Sequence, residues 1–206
     1  MLALFLLVAS THFAALLSPG PDFFLLLRAG LTRGRLYAAG CAWGIALANL
    51  ASMLLVLLAL SLLPAEGGWM WRALQLLGGG YFLWLGAQAL MARRRLDLPE
   101  ASADAGLGSW RRGVLEGLLA SSVNPKLPIF YAGLFGVLRS AQMPDWGLAL
   151  CMAWMTLVVL GWDLGLVRLV SHRRWQAWLQ RRVVVLDRLC GGLLALLGGW
   201  LVVGAF

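Results

Sequence analysis

The chain has 206 residues, 61% of them apolar and 13% charged, and a net charge of +8. Its mean hydropathy is +0.82, and it holds uncharged runs such as 36–65 and 189–206, near or above the ~20 residues that cross a bilayer. That leaves no room for a separate soluble domain, and the distribution of the basic residues argues against nucleic acid as their partner.

Six membrane spans are predicted in chain order, over 2–27, 38–63, 69–91, 113–138, 146–168 and 187–205. The predicted fold is therefore an all-α polytopic membrane protein. Span 1 is interrupted by Ser18-Pro19-Gly20-Pro21-Asp22. Proline removes a backbone donor and clashes with the preceding turn. Lipid cannot satisfy the freed groups, so such a break survives only where protein or a wet cavity surrounds it. The N-terminal run has no basic flank and no clear small-residue cleavage site, so it is expected to be retained rather than removed as a signal peptide.

Asp22 begins the second half-helix of span 1, next to Pro21. An ionised Asp near a helix centre costs about 3 kcal/mol on insertion scales, so it is expected to face a cavity or a partner. Two roles suit it: capping the free N–H groups of the half-helix, or binding an ammonium or a coupling proton. His12, ten residues earlier, reads as a hydrogen-bonded packing residue or a proton-transfer group. In span 2, Gly40, Gly44 and Ala48 form a small-residue face for close helix packing. Asn49 reads first as an interhelical polar contact and second as a substrate contact.

Between spans 3 and 4 lies the polar stretch 93–112, with arginine clusters at both ends, a cytoplasmic linker in this reading. It divides the chain into 1–92 and 113–206, two three-span halves. An odd number of spans per half puts the halves in opposite orientations. Span 4 is interrupted at Asn124-Pro125-Lys126. Superimposing Pro21 on Pro125 sets Asp22 on Lys126. Leu76-Leu77-Gly78-Gly79-Gly80 similarly matches Arg188-Leu189-Cys190-Gly191-Gly192, with Gly86 on Gly198. Interrupted segments at corresponding places in two halves are a pointer to a transporter's binding site.

Lys126 is the only lysine in the chain. It suits a substrate carboxylate, a pair with Asp22, or a gate. Asn124 suits a cap on the second half-helix or a substrate hydrogen bond. Pro128 reads as a second break just beyond. Glu116 has Arg112 one turn away as its expected partner. Asp163, in span 5, lies five residues before Arg168 and reads as an ion pair or a proton relay. After span 5, Trp175, Trp178 and Leu179, flanked by arginines, suggest a short interfacial helix over 171–182.

All basic residues except Arg72, Lys126 and Arg139 fall at the first, third and fifth connections. Basic loops stay cytoplasmic, which places both termini outside. Cys41, Cys151 and Cys190 all sit in apolar segments, as buried hydrophobes rather than a disulfide framework. No catalytic constellation is present: paired Cys motifs, HExxH, GxSxG and Walker sequences are all missing. The chain reads as no enzyme, with no cofactor and no His-rich metal site. An oxygen-rich cation site from Asp22, Asp163 and Asn49 stays open.

Residues Leu17 to Phe23, Gly34, Gly40 with Gly44, and Asn124-Pro125-Lys126 together resemble the LysE/RhtB amino-acid exporter family, its threonine-exporter branch most of all. The resemblance covers essentially the full chain. The residues themselves read as six helices in two inverted three-helix repeats, with helices 1 and 4 broken at Pro19, Gly20, Pro21 and at Pro125, Pro128. The resemblance implies export of small amino acids or related metabolites from a bacterial cytoplasm through the inner membrane, driven by the proton gradient. The implied partners are a small amino acid, protons and membrane lipids, with homo-oligomerisation left open. Substrate-binding or proton-coupling interest falls on Asp22, Asn124, Lys126, Asp163, His12 and Asn49. Ala48, Pro128 and Asp163 depart from the family pattern, which leaves the choice of substrate open. The rival readings are a cation or metal exporter of the same fold and a non-transporting structural membrane protein.

Overall fold

The computed structural model describes residues 2–17, 20–62, 69–91, 108–170 and 172–204. These residues form eight helices and no strand. In chain order they are α1 (Leu2–Leu17), α2 (Pro21–Thr32), α3 (Arg35–Ser61), α4 (Trp69–Met91), α5 (Trp110–Ser122), α6 (Lys126–Ser140), α7 (Asp145–Val170) and α8 (Arg173–Val203). Most of the predicted linker and Pro19 lie outside the described residues.

Both sequence interruptions divide helices. The first separates α1 from α2, whose axes differ by 52°. Gly20 is extended, at φ −111° and ψ −172°, and Pro21 opens α2. Proline is suited to that place because the first helical N–H has no intrahelical partner in any case. The second interruption separates α5 from α6 at Val123–Pro125. Pro128, by contrast, is the third residue of α6, and the helix continues through it to Ser140. Within a first turn the missing N–H costs no hydrogen bond, so Pro128 is part of the same break rather than a second one. Between α2 and α3 the chain turns at Gly34, where φ is 84° and ψ is 168°. That conformation is essentially restricted to glycine.

Among the described residues, α3, α7 and the Arg181–Val203 part of α8 are long and apolar enough to cross a membrane. The bent α1–α2 pair makes a fourth if it is one broken span. The other two predicted spans are more polar. Helix α4 carries Arg72, Gln75 and Gln88, and α5 carries Arg111, Arg112 and Glu116. Helices α3, α7 and α8 expose leucines and tryptophans, among them Leu47, Leu54, Leu58, Leu157, Leu193, Leu196 and Trp200. A soluble monomer rarely presents apolar faces of this extent; a hydrocarbon surrounding accommodates them. The predicted interfacial helix is not separate. Its residues run straight into α8, because no Gly or Pro interrupts 173–190. Trp175 packs against the core and Trp178 is exposed.

Two glycine seams bring helices together. Gly40 and Gly44 of α3 face Gly113 and Gly117 of α5, so closely that a Cβ on Gly44 would meet the backbone of Val114 and Leu118. Gly79 and Gly86 of α4 face Gly198 and Gly191 of α8, and the contact is reciprocal at both levels. In lipid there is no hydrophobic force between helices, so close packing of this kind carries the association. At one end of α3, Tyr37 donates a hydrogen bond to the Glu116 carboxylate of α5, and Arg33 donates to the Tyr37 oxygen at 2.7 Å. Glu116 thus pairs with Arg33, at 3.4 Å, and not with the expected Arg112.

Two apolar clusters lie end to end along the bundle. One joins the start of α1 to the later part of α3 and early α7. The other joins α2 to early α3 and late α7. On α3 they change over around Asn49, and on the broken first segment between Ala15 and Leu26. Cys41 and Cys151 belong to these clusters, and Cys190 is buried as well.

The α3–α5 seam gives a direct test. Gly44→Val should destabilise the purified protein by roughly 1–3 kcal/mol or more through overpacking, whereas Gly161→Ala, with open space around it, should leave the thermal midpoint unchanged in detergent.

Candidate functional site

The change-over between the two clusters is hollow and holds several polar side chains. A cavity of about 70 Å³ lies there, enough for several waters. Its wall includes His12, Asp22, Asn49, Asn124, Lys126 and Asp163. All six candidate residues from the sequence, drawn from α1, α2, α3, α6, α7 and the α5–α6 turn, therefore line one space. Gly20 and Pro21 line it too.

The break itself explains several of these contacts. The last four carbonyls of α1 have no helical partner. Lys126 of α6 supplies one: its ammonium donates to the Ala15 carbonyl at 2.9 Å. A cation also suits the negative end of a helix. Asn124 acts as the cap of the second half-helix, its Oδ1 accepting from the Lys126 backbone N–H at 3.1 Å. Asp22 does not cap α2. Its Oδ2 accepts from the Ser121 hydroxyl of α5 at 3.1 Å, which ties the two broken segments together. Its Oδ1 has no hydrogen-bond partner.

Asn49 fulfils the interhelical expectation. It accepts a 2.6 Å hydrogen bond from the Tyr131 hydroxyl of α6 and donates to the Ile45 carbonyl on its own helix at 2.9 Å. His12 stands among Phe130, Tyr131 and Trp154, with ring centroids 6.0 to 6.5 Å away. It is buried, but its Nδ1 has no partner, unlike the hydrogen-bonded histidine expected. Asp163 is only 4% exposed, and its Oδ2 is likewise without a partner. The expected ion pair with Arg168 does not form, since Arg168 lies on the exposed side of α7.

Two contributors, and one buried carboxylate outside the cavity lining, were not singled out from the sequence. Ser121 continues the Gly113, Gly117 spacing by four residues, and those three are the buried positions of α5. That stripe was the available signal. Tyr131 is one of only three tyrosines, and it sits fully inside an apolar helix. Asp187, 1% exposed on α8, was hidden by its neighbour Arg188, which suggested a loop-side charge. Among the described residues no group of three or more His, Cys, Asp or Glu side chains is placed to hold a metal ion.

A polar cavity at paired helix interruptions, inside an apolar helical bundle, is the build of a membrane transporter. Comparison with known proteins agrees: the model of the LysE type translocator family matches residues 13–205. The chain belongs to that family. It is 30% identical to the threonine efflux protein of Salmonella typhi over 98% of this chain and 99% of that one. The Escherichia coli K12 threonine efflux protein shows the same identity and coverage. The leucine efflux protein of Klebsiella pneumoniae is 27% identical over 70% of this chain and 68% of its own length. No solved structure matches the chain.

Removing the Tyr131 hydroxyl should expose the cost of the buried Asn49 contact. Tyr131→Phe is expected to lower stability by about 1–3 kcal/mol, measured by thermal unfolding in detergent, and a double-mutant cycle with Asn49→Ala should show most of that loss to be shared.

Proposed function

We propose that this chain exports small amino acids, threonine- or homoserine-like, across a bacterial inner membrane by proton-coupled antiport. The observation that carries the reading is the convergence of Asp22, Asn124 and Lys126, from two separate helix breaks, on one cavity. A zwitterion needs an anion and a cation within reach of each other. Asp22 offers a free carboxylate oxygen, and Lys126 an ammonium that rests on a backbone carbonyl. The substrate's ammonium meets Asp22, and its carboxylate meets Lys126 or a half-helix N-terminus. Protonation of Asp22 or Asp163 couples release to proton entry. The threonine and leucine efflux proteins among the relatives support an amino-acid cargo.

In this reading the helices make six spans, with α1–α2 and α5–α6 as the broken first and fourth. Residues 1–92 and 113–206 are inverted repeats joined by the cytoplasmic stretch 93–112. The reciprocal pairing of Gly79 with Gly198 and Gly86 with Gly191 supports a two-fold relation between them. Rocking of one repeat against the other alternates access to the cavity. The arginine distribution places the α2–α3 and α7–α8 connections in the cytoplasm and both termini outside.

Asp22→Asn should abolish gradient-driven efflux of labelled threonine or homoserine from proteoliposomes while the protein still inserts. Normal efflux in that variant would remove Asp22 from the mechanism. Metal-stimulated transport with no amino-acid movement would shift the assignment to a cation exporter.

Topology can be checked separately, because the three native cysteines are buried. A cysteine introduced by Arg111→Cys should react with an impermeant maleimide only after cells are opened, and one introduced by Trp146→Cys should react in intact spheroplasts.

A further inference from the structure

Asp163 does more than complete the cavity wall. Its Oδ2 is buried and unpartnered. Arg168 cannot reach it, because five residues along a helix is a rotation of roughly 140°, and Arg168 is exposed where Asp163 is buried. The wall around it is aromatic and aliphatic, with Phe23, Trp162 and Leu166. Asp22 lines the same cavity, and its Oδ1 is also unpartnered. Among the described lining residues Lys126 is the one Lys or Arg, and its ammonium already donates to Ala15. The cavity thus presents two separate carboxylate acceptors.

An α-ammonium satisfies one of them. A purely aliphatic side chain would leave the other facing carbon, which is costly for a buried acceptor. A side chain that ends in a donor satisfies both. We propose that Asp163 is a specificity-determining residue, whose free oxygen receives a hydroxyl or ammonium on the substrate's side chain while Asp22 receives the α-ammonium. The proposal rests on the amino-acid export reading and assigns to Asp163 the recognition of the side-chain donor. Sites built to hydrogen-bond a substrate group discriminate far better against an analogue lacking it than apolar pockets discriminate between sizes.

Threonine and valine have nearly the same shape and differ in the hydroxyl, so their ratio reads this contact without a size effect. Efflux of labelled threonine, valine and ornithine from proteoliposomes should favour threonine over valine by roughly tenfold or more in the native protein. Asp163→Leu should bring that ratio to about one. Asp163→Asn, which can still hydrogen-bond a hydroxyl but no longer carries charge, should retain part of the threonine preference and lose ornithine efflux where the native protein has it. No threonine preference in the native protein overturns the proposal without recourse to any variant. An unchanged ratio in an actively transporting Asp163→Leu protein also overturns it. So does a proportionate loss of threonine and valine efflux in both variants, which would make the carboxyl a proton carrier. Each of those results leaves amino-acid export standing; absence of any amino-acid transport by the native protein overturns both readings together.

Discussion

A helix that stops inside an apolar bundle leaves backbone carbonyls and amides that only the protein itself, or trapped water, can satisfy. The rest of this structure is arranged around that constraint. The end of α1 is met by the Lys126 ammonium, which comes from the other broken segment. The start of α6 is met by Asn124. Asp22, at the start of α2, is held by Ser121 at the end of α5. The first break is thus completed by groups of the second, the second by its own Asn124, and Lys126, Asp22 and Asn124 all line the cavity. Structural need and chemical opportunity fall on the same residues.

The glycine seams make this cross-bracing affordable in space. Ser121 reaches Asp22 only because α5 lies against its neighbours along Gly113 and Gly117, with α3 closing on the same stripe through Gly40 and Gly44. Larger residues on either face would push the second break away from the first. The α4–α8 seam lies apart from the cavity and joins the two halves of the sequence through paired glycines. Packing at these seams is close, whereas the cavity between the apolar clusters sets polar side chains in a mostly apolar wall.

Much of this was legible from residue order alone. Proline in an apolar run announces a break, and Gly40-x3-Gly44 announces a close face, because both signals are local to one helix. The cap by Asn124 is local as well. Partner choice is not. Arg112 is the natural partner of Glu116 on an isolated helix, but folding brings Arg33 and Tyr37 to the same carboxylate. The pairing of Asp163 with Arg168 failed for the opposite reason: sequence nearness concealed that the two point to different sides of α7. Pro128 was over-read, since a proline weakens a helix according to its distance from the start. Ser121 was signalled only by the four-residue spacing it shares with Gly113 and Gly117, and the importance of Ser121 and Tyr131 comes from what the fold sets opposite them.

The N–H of Gly108, just before α5, donates to the carbonyl of Arg33 at 3.3 Å. Arg33 also ends α2, and α2 begins at Pro21, beside Asp22. Twelve residues of helix, roughly 18 Å, therefore link the cavity at one tip of α2 to the Gly108 contact at the other.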